Sequence, residues 1–314
     1  MTIAPRMTTG ILLAFVCLGL LGLMPIIADS RPAGFGALSF ALLLSLWQVV
    51  FAVPLFAWGL RGPDRGIFGV SLTGGERRRT LWVALATGAM FGLSTYLYVL
   101  AVEKAGAISA AIAIQAYPLF AILWETLFLK RRKTAVELAF TAALIGALYV
   151  LGTEGSGRID GFSPWFLVAL GVPFLWSVAH VIIKEELGRT PITPAQVTFF
   201  RVAISSVFLG LVVALVEPLA FVTAVARLDF QAFAALMGLV YYLELIVWFH
   251  AVRHIDVSLA SSISTPWPAV TMGLAVLFLD DTIEVYQLVA FVIVVVSIYG
   301  LLVAGLRKAK RQAA

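Results

Sequence analysis

Residues 107–129 read AISAAIAIQAYPLFAILWETLFL, and 150 positions later residues 257–279 read VSLASSISTPWPAVTMGLAVLFL. Each stretch is continuously apolar and long enough to cross a bilayer as a helix, which takes about 20 residues. Each carries an aromatic-proline pair near its middle, Tyr117-Pro118 and Trp267-Pro268, and each ends in Leu-Phe-Leu. The same register extends without a gap from Gly88–Leu151 onto Gly238–Leu301, with 12 of 64 pairs identical. Apolar composition alone produces some matches, so the weight falls on Gly88/Gly238, Pro118/Pro268 and Tyr149/Tyr299. The chain contains a repeat.

The surrounding sequence says what kind of repeat it is. Of the 314 residues 61% are apolar and 12% charged, against roughly half and a quarter in soluble domains. That excludes a secreted enzyme, a disordered chain and a nucleic-acid-binding domain. Apolar runs fall at about 10–28, 37–58, 81–102, 107–128 and 134–152, then at 162–183, 194–216, 230–252, 257–279 and 285–306. They lack the alternation of barrel strands and read as helices. The expected fold is an all-α integral membrane protein of ten transmembrane helices in two halves, 1–152 and 153–314. Cys17 is the single cysteine, so no intrachain disulfide framework exists.

Charge sets the expected orientation. With the N-terminus inside, 17 basic residues fall in cytoplasmic segments and four outside, Arg31, Lys104, Arg158 and Arg227; Arg201 lies within a span. The positive-inside rule then gives N-in and C-in. Each half holds five spans, an odd number, so the second copy enters the membrane from the opposite side. Equivalent loops carry opposite charge, as this requires: Lys130-Arg131-Arg132-Lys133 after span 4, Asp280-Asp281 after span 9. An inverted repeat lets two similar halves exchange conformations around a midplane site, which suits a transporter.

Ten spans, inverted halves, the Tyr117-Pro118 and Trp267-Pro268 motifs and the Leu-Phe-Leu ends resemble the EamA-type drug/metabolite transporter superfamily. The aromatic-rich spans are most similar to the YddG-type aromatic amino-acid exporters of bacterial inner membranes. The resemblance implies a multi-pass inner-membrane exporter in which spans 1, 3, 4, 6, 8 and 9 line a central cavity and spans 5 and 10 pack behind. It further implies alternating access and a small-molecule cargo, an amino acid.

Within the spans a few residues can carry transport. Pro118 and Pro268 each lack a backbone donor, so each frees or bends a turn and can act as a hinge; prolines also shape membrane helices without further role. Span 8 sets Tyr241, Glu244 and Trp248 on one helical face. Glu244 and Arg201 fall at similar depth, where a charge is costly in lipid and faces a partner or a cavity. They can pair with each other or take the two ends of an amino acid, and Arg201 can also snorkel to the interface. Tyr96, Tyr117, Trp176 and Trp267 lie too deep for an interfacial belt and can stack on an aromatic cargo. Gln115 approaches the prolines, and His180 shares a face with Trp176, either as a ligand or as an interfacial cap.

Catalytic readings find little support. No metal-ligand, phosphate-loop or dinucleotide spacing occurs, so no cofactor or metal is implied. Other cargoes in the same superfamily remain as alternatives, a cationic drug ahead of a sugar phosphate, which would call for several intramembrane basic residues. A membrane-embedded transferase is the remaining class. The partners expected are therefore a small-molecule substrate and the lipid bilayer, with no nucleic acid.

Overall fold

The computed structural model describes residues 7–63, 65–117, 119–120, 123, 134–187, 189–255, 260 and 263–313. Among these residues the chain is helical and has no strand. The helices are α1 (Met7–Asp29), α2 (Ala37–Arg61), α3 (Gly74–Ala105), α4 (Ala107–Ile114), α5 (Ala135–Gly152) and α6 (Pro164–Leu187). They continue with α7 (Pro194–Val216), α8 (Pro218–Ala226), α9 (Leu228–His254), α10 (Trp267–Phe278) and α11 (Val285–Ala313).

The helices form because lipid offers no partner for a backbone N–H or C=O, so each apolar run must satisfy its own. Seven described helices are long and apolar enough to cross a bilayer, and two shorter apolar ones are Pro164–His180 and Trp267–Phe278. Many of their side chains face outward: Leu215 is 85% and Leu228 86% exposed. Such exposure is a liability in water and is what hydrocarbon requires. The chain is a multi-pass membrane protein. Capping boxes start three helices, with Thr73 and Glu76 opening α3, Thr134 and Glu137 opening α5, and Thr193 and Gln196 opening α7. Each pair satisfies two backbone donors reciprocally.

Two expectations change. Residues 218–226, taken as a connection, form the short apolar helix α8, started by Pro218 at a position where its missing N–H has no role. Spans 4 and 9, taken as continuous, are each interrupted near the middle. By contrast Pro25, Pro54 and Pro173 lie inside α1, α2 and α6 without ending them.

The chain divides into two compact units, each drawing on both halves of the sequence. The first comprises Met1–Ile26, Ala101–Phe174 and Val247–Ala314. Within it α5 packs along α11 and α4 against α10. The second comprises Ile27–Leu100 and Leu175–Ile246. Within it α2 packs along α7, and Ala52, Val202 and Tyr242 form a buried cluster at that contact.

The matched glycines mark close approaches inside the second unit. A Cβ on Gly88 of α3 would lie 2.5 Å from Ile204 Cγ2 on α7. One on Gly238 of α9 would lie 2.8 Å from the Leu44 carbonyl oxygen and 2.9 Å from Trp47 Cβ on α2. Small residues of this kind let membrane helices approach until backbones touch. The Leu44 carbonyl is helix backbone and cannot swing aside. Gly238→Ala is therefore expected to destabilise the protein by about 1–3 kcal/mol, the usual range for overpacking. Thermal melts in detergent would register it; an unchanged midpoint would show that the helices part without penalty.

Candidate functional site

Residues with the chemistry to hold a solute fall in both units. In the second, the centre is Arg201 of α7. Its guanidinium carbon lies 3.7 Å from the centroid of the Phe91 ring and 5.6 Å from that of Tyr241, and Nη2 donates to the Tyr241 hydroxyl at 3.0 Å. Tyr241 is the midpoint of the 27-residue α9, about 20 Å from either end at roughly 1.5 Å per residue. The guanidinium is thus turned toward the helix centre, and the snorkelling alternative does not describe this side chain. Tyr241 is buried, is hydrogen-bonded to Thr95, and feels the charges of both Arg201 and Glu244. The two intramembrane charges therefore share Tyr241 as a neighbour, and Glu244 is itself buried.

Helix α3 supplies the opposite wall. Phe91, Ser94, Thr95 and Tyr98 follow the i, i+3, i+4, i+7 spacing of one helical face, and all four are buried. Ser94 and Thr95 both donate to the Phe91 carbonyl, at 2.9 and 2.8 Å. Trp176 Nε1 of α6 donates to Ser94 Oγ at 3.0 Å, and the His180 ring lies 5.5 Å from Phe91. His180 keeps exposed surface on α6. The Tyr98 hydroxyl is buried with no hydrogen-bond partner among the described residues. Tyr96, expected at the site, is half-buried one residue past Thr95 and so points about 100° away from this face.

Below the cluster a narrow, water-sized cleft of about 30 Å³ runs along α3, α6 and α7 from Glu186 to Arg201. Glu186 accepts from Thr80 Oγ1 at 2.5 Å and from Arg79 Nε at 3.1 Å. Thr80, Val83, Ala84 and Thr87 line the cleft from α3 and continue the same face that carries Phe91 downward by one-turn steps. Phe91, Ser94, Thr95 and Tyr98 were not among the expected site residues, and their one-face spacing is the signal in the sequence that marks them.

In the first unit the interruptions of spans 4 and 9 stand at equivalent positions. Helix α4 ends at Ile114, residues 115–116 form a turn, and helical backbone resumes at Tyr117; residues 265–266 form the same turn before Trp267. The backbone bonds also repeat. Leu119 N–H donates to the Ala116 carbonyl at 2.9 Å, and Ala269 N–H donates to the Pro266 carbonyl at 2.9 Å. Both bonds reach back three residues, as in a 3₁₀ turn, a mid-helix form associated with hinges. Pro268 consequently sits in the first turn of a new helix, where no N–H is needed. Pro118 lies outside the described residues.

Once Ala269 N–H is committed to Pro266, the Thr265 carbonyl lacks its ordinary helical donor. Gln115 Nε2 supplies one, at 2.9 Å. Gln115 and Thr265 are 150 residues apart, so each occupies the other's place in the repeat. Nearby, Trp267 and Pro268 are buried and Tyr117 is half-buried. Trp248 packs on the cluster of Ala14, Ile255 and Ala260, apart in the unit division from Tyr241 and Glu244. Among the described residues no group of three or more His, Cys, Asp or Glu side chains is placed to hold a metal ion.

Residues 163–303 match the EamA-like transporter family. Twenty-six solved chains match the fold. One, a crystal structure of a protein without further description, superposes with a TM-score of 0.58 over 96% of this chain and 98% of its own, at 19% identity. No curated protein matches the sequence.

Removing the amide that crosses between the two breaks tests whether that bond holds them. Gln115→Ala is expected to lower stability by about 1 kcal/mol, the net worth of one hydrogen bond with its acceptor left behind. Detergent melts would give the value, and an unchanged melt would mean that the Thr265 carbonyl finds another donor without cost.

Proposed function

We propose that the chain is a bacterial inner-membrane exporter of amino acids, aromatic and other neutral ones, working by alternating access around a central cavity. The observation that carries this reading is the twin interruption of spans 4 and 9, with the same 3₁₀ bond at the same place in each. Broken helices near the membrane midplane are where transporters of this build bind and move their cargo. The match of residues 163–303 to a transporter family points the same way.

The halves are ten spans in two inverted five-helix repeats, both chain ends cytoplasmic. Three helix contacts support it, since α2 with α7, α4 with α10 and α5 with α11 each join a span to its own counterpart. The Gln115–Thr265 bond does so at the level of single residues, as expected of groups beside a two-fold axis. The turns at 115–116 and 265–266 are the points at which the halves re-angle, with Pro118 and Pro268 flanking them. In the second unit Arg201 and Glu244 offer opposite charges to a zwitterion, with rings from Trp176, His180 and Tyr241; in the first, Tyr117, Trp248 and Trp267 offer rings and Gln115 an amide.

Counterflow in proteoliposomes tests the reading. Vesicles preloaded with phenylalanine, tryptophan, threonine or methionine are expected to accumulate the labelled counterpart, and Glu244→Gln to slow that exchange at least tenfold. Exchange of none of the four would discard the substrate class.

A further inference from the structure

The Arg201 guanidinium is only partly employed by the fold. It carries five N–H donors in a planar fork, and among the described residues it makes one hydrogen bond, to Tyr241. Phe91 covers one face of the plane, which leaves edges free. Those edges belong to a side chain that lines the cleft beginning at Glu186. Charged donors at this depth are costly unless met by an acceptor, and the cleft is the route by which one can arrive.

We propose that Arg201 is the carboxylate-binding residue of this cleft, taking a monocarboxylate through a bidentate pair of N–H···O bonds. The stack on Phe91 and the bond to Tyr241 fix the fork before the ligand arrives, so little side-chain entropy is lost on binding. The lining beside it, Val83, Ala84, Val197 and Phe200, is apolar and, once these side chains part, suits an uncharged hydrocarbon or aromatic body behind the carboxylate. Thr87 also lines the cleft, its hydroxyl donating to the Val83 carbonyl at 2.7 Å. The buried Tyr98 hydroxyl, which interacts with Tyr241, is a further donor in the same layer. A planar oxyanion fits this fork in a way that an ammonium or a neutral amide does not. The inference names the anionic end of the cargo and rests on the export reading for its biological meaning.

The test is ligand-induced thermal stabilisation of the purified full chain in detergent, with phenylalanine, phenylalaninamide and 3-phenylpropionate as probes. The wild type is expected to be stabilised by the first and third and at least tenfold more weakly by the amide, the factor that losing a charge-assisted bond of about 1.5–3 kcal/mol implies. Arg201→Gln should lose the response to both carboxylates, and Arg201→Lys should keep part of it, which guards against a variant that merely misfolds. Equal stabilisation by phenylalanine and its amide, or an undiminished response in a folded Arg201→Gln protein, would overturn the proposal. Arg201-dependent binding of 3-phenylpropionate, with no amino-acid counterflow in vesicles, would uphold the carboxylate site while discarding amino acids as cargo. Counterflow of phenylalanine in Arg201→Gln at the wild-type rate and affinity would do the reverse.

Discussion

Everything in this protein answers to the absence of water in the bilayer core. An unmet backbone group there costs several kcal/mol, so continuous helices are the default and an interruption requires compensation. Among the described residues two such interruptions stand in the same register of each half. At both, a bond to the third residue back replaces the ordinary ladder, 116 with 119 and 266 with 269. At Thr265 the displaced carbonyl is met by Gln115 from the other break. Prolines alone do not explain this, because Pro25, Pro54 and Pro173 are carried inside unbroken helices. The breaks are held by specific hydrogen bonds.

The second constraint is charge. Arg201 and Glu244 both lie within apolar membrane helices, yet neither is left to lipid. Tyr241, at the midpoint of α9, mediates between them, accepting from the guanidinium while lying in the field of the carboxylate. Phe91 adds a cation–π contact at 3.7 Å, of a kind worth about 2 kcal/mol when desolvated. The face of α3 that presents Phe91 continues past Thr87 to Thr80, so the charged layer and the cleft are built on one helix stripe. Close packing at Gly88 and Gly238 then sets how near α7 and α2 can come to α3 and α9.

Much of the architecture was legible in the amino-acid order. Hydrophobic length marks the membrane helices, and the 150-residue register picks out the glycines that prove to be contact points and the paired residues at the breaks. Other features were hidden for physical reasons. The break at 115–116 leaves no compositional mark, since Gln115-Ala116 is as compatible with a bend as with a gap, whereas Pro266 marks the one at 265–266. The α3 face was obscured because Phe91 reads as an ordinary core residue, and its role depends on a guanidinium from another helix. Tyr96 drew attention as a deep aromatic, although the helical phase that makes Thr95 and Tyr98 part of the cluster turns Tyr96 aside. The direction in which Arg201 extends is decided by tertiary partners and cannot be read from its distance to the span end.

The proposed account stands on movement between the two helix breaks, and this can be arrested directly. In a Cys17→Ser background, Gln115→Cys and Thr265→Cys would be combined and joined with a short bifunctional thiol reagent in proteoliposomes, with each single variant treated in parallel. Counterflow is predicted to stop in the bridged double variant and to persist in both singles. Undiminished counterflow across a bridged pair would contradict the account, because the breaks would then be fixed and transport would proceed without them.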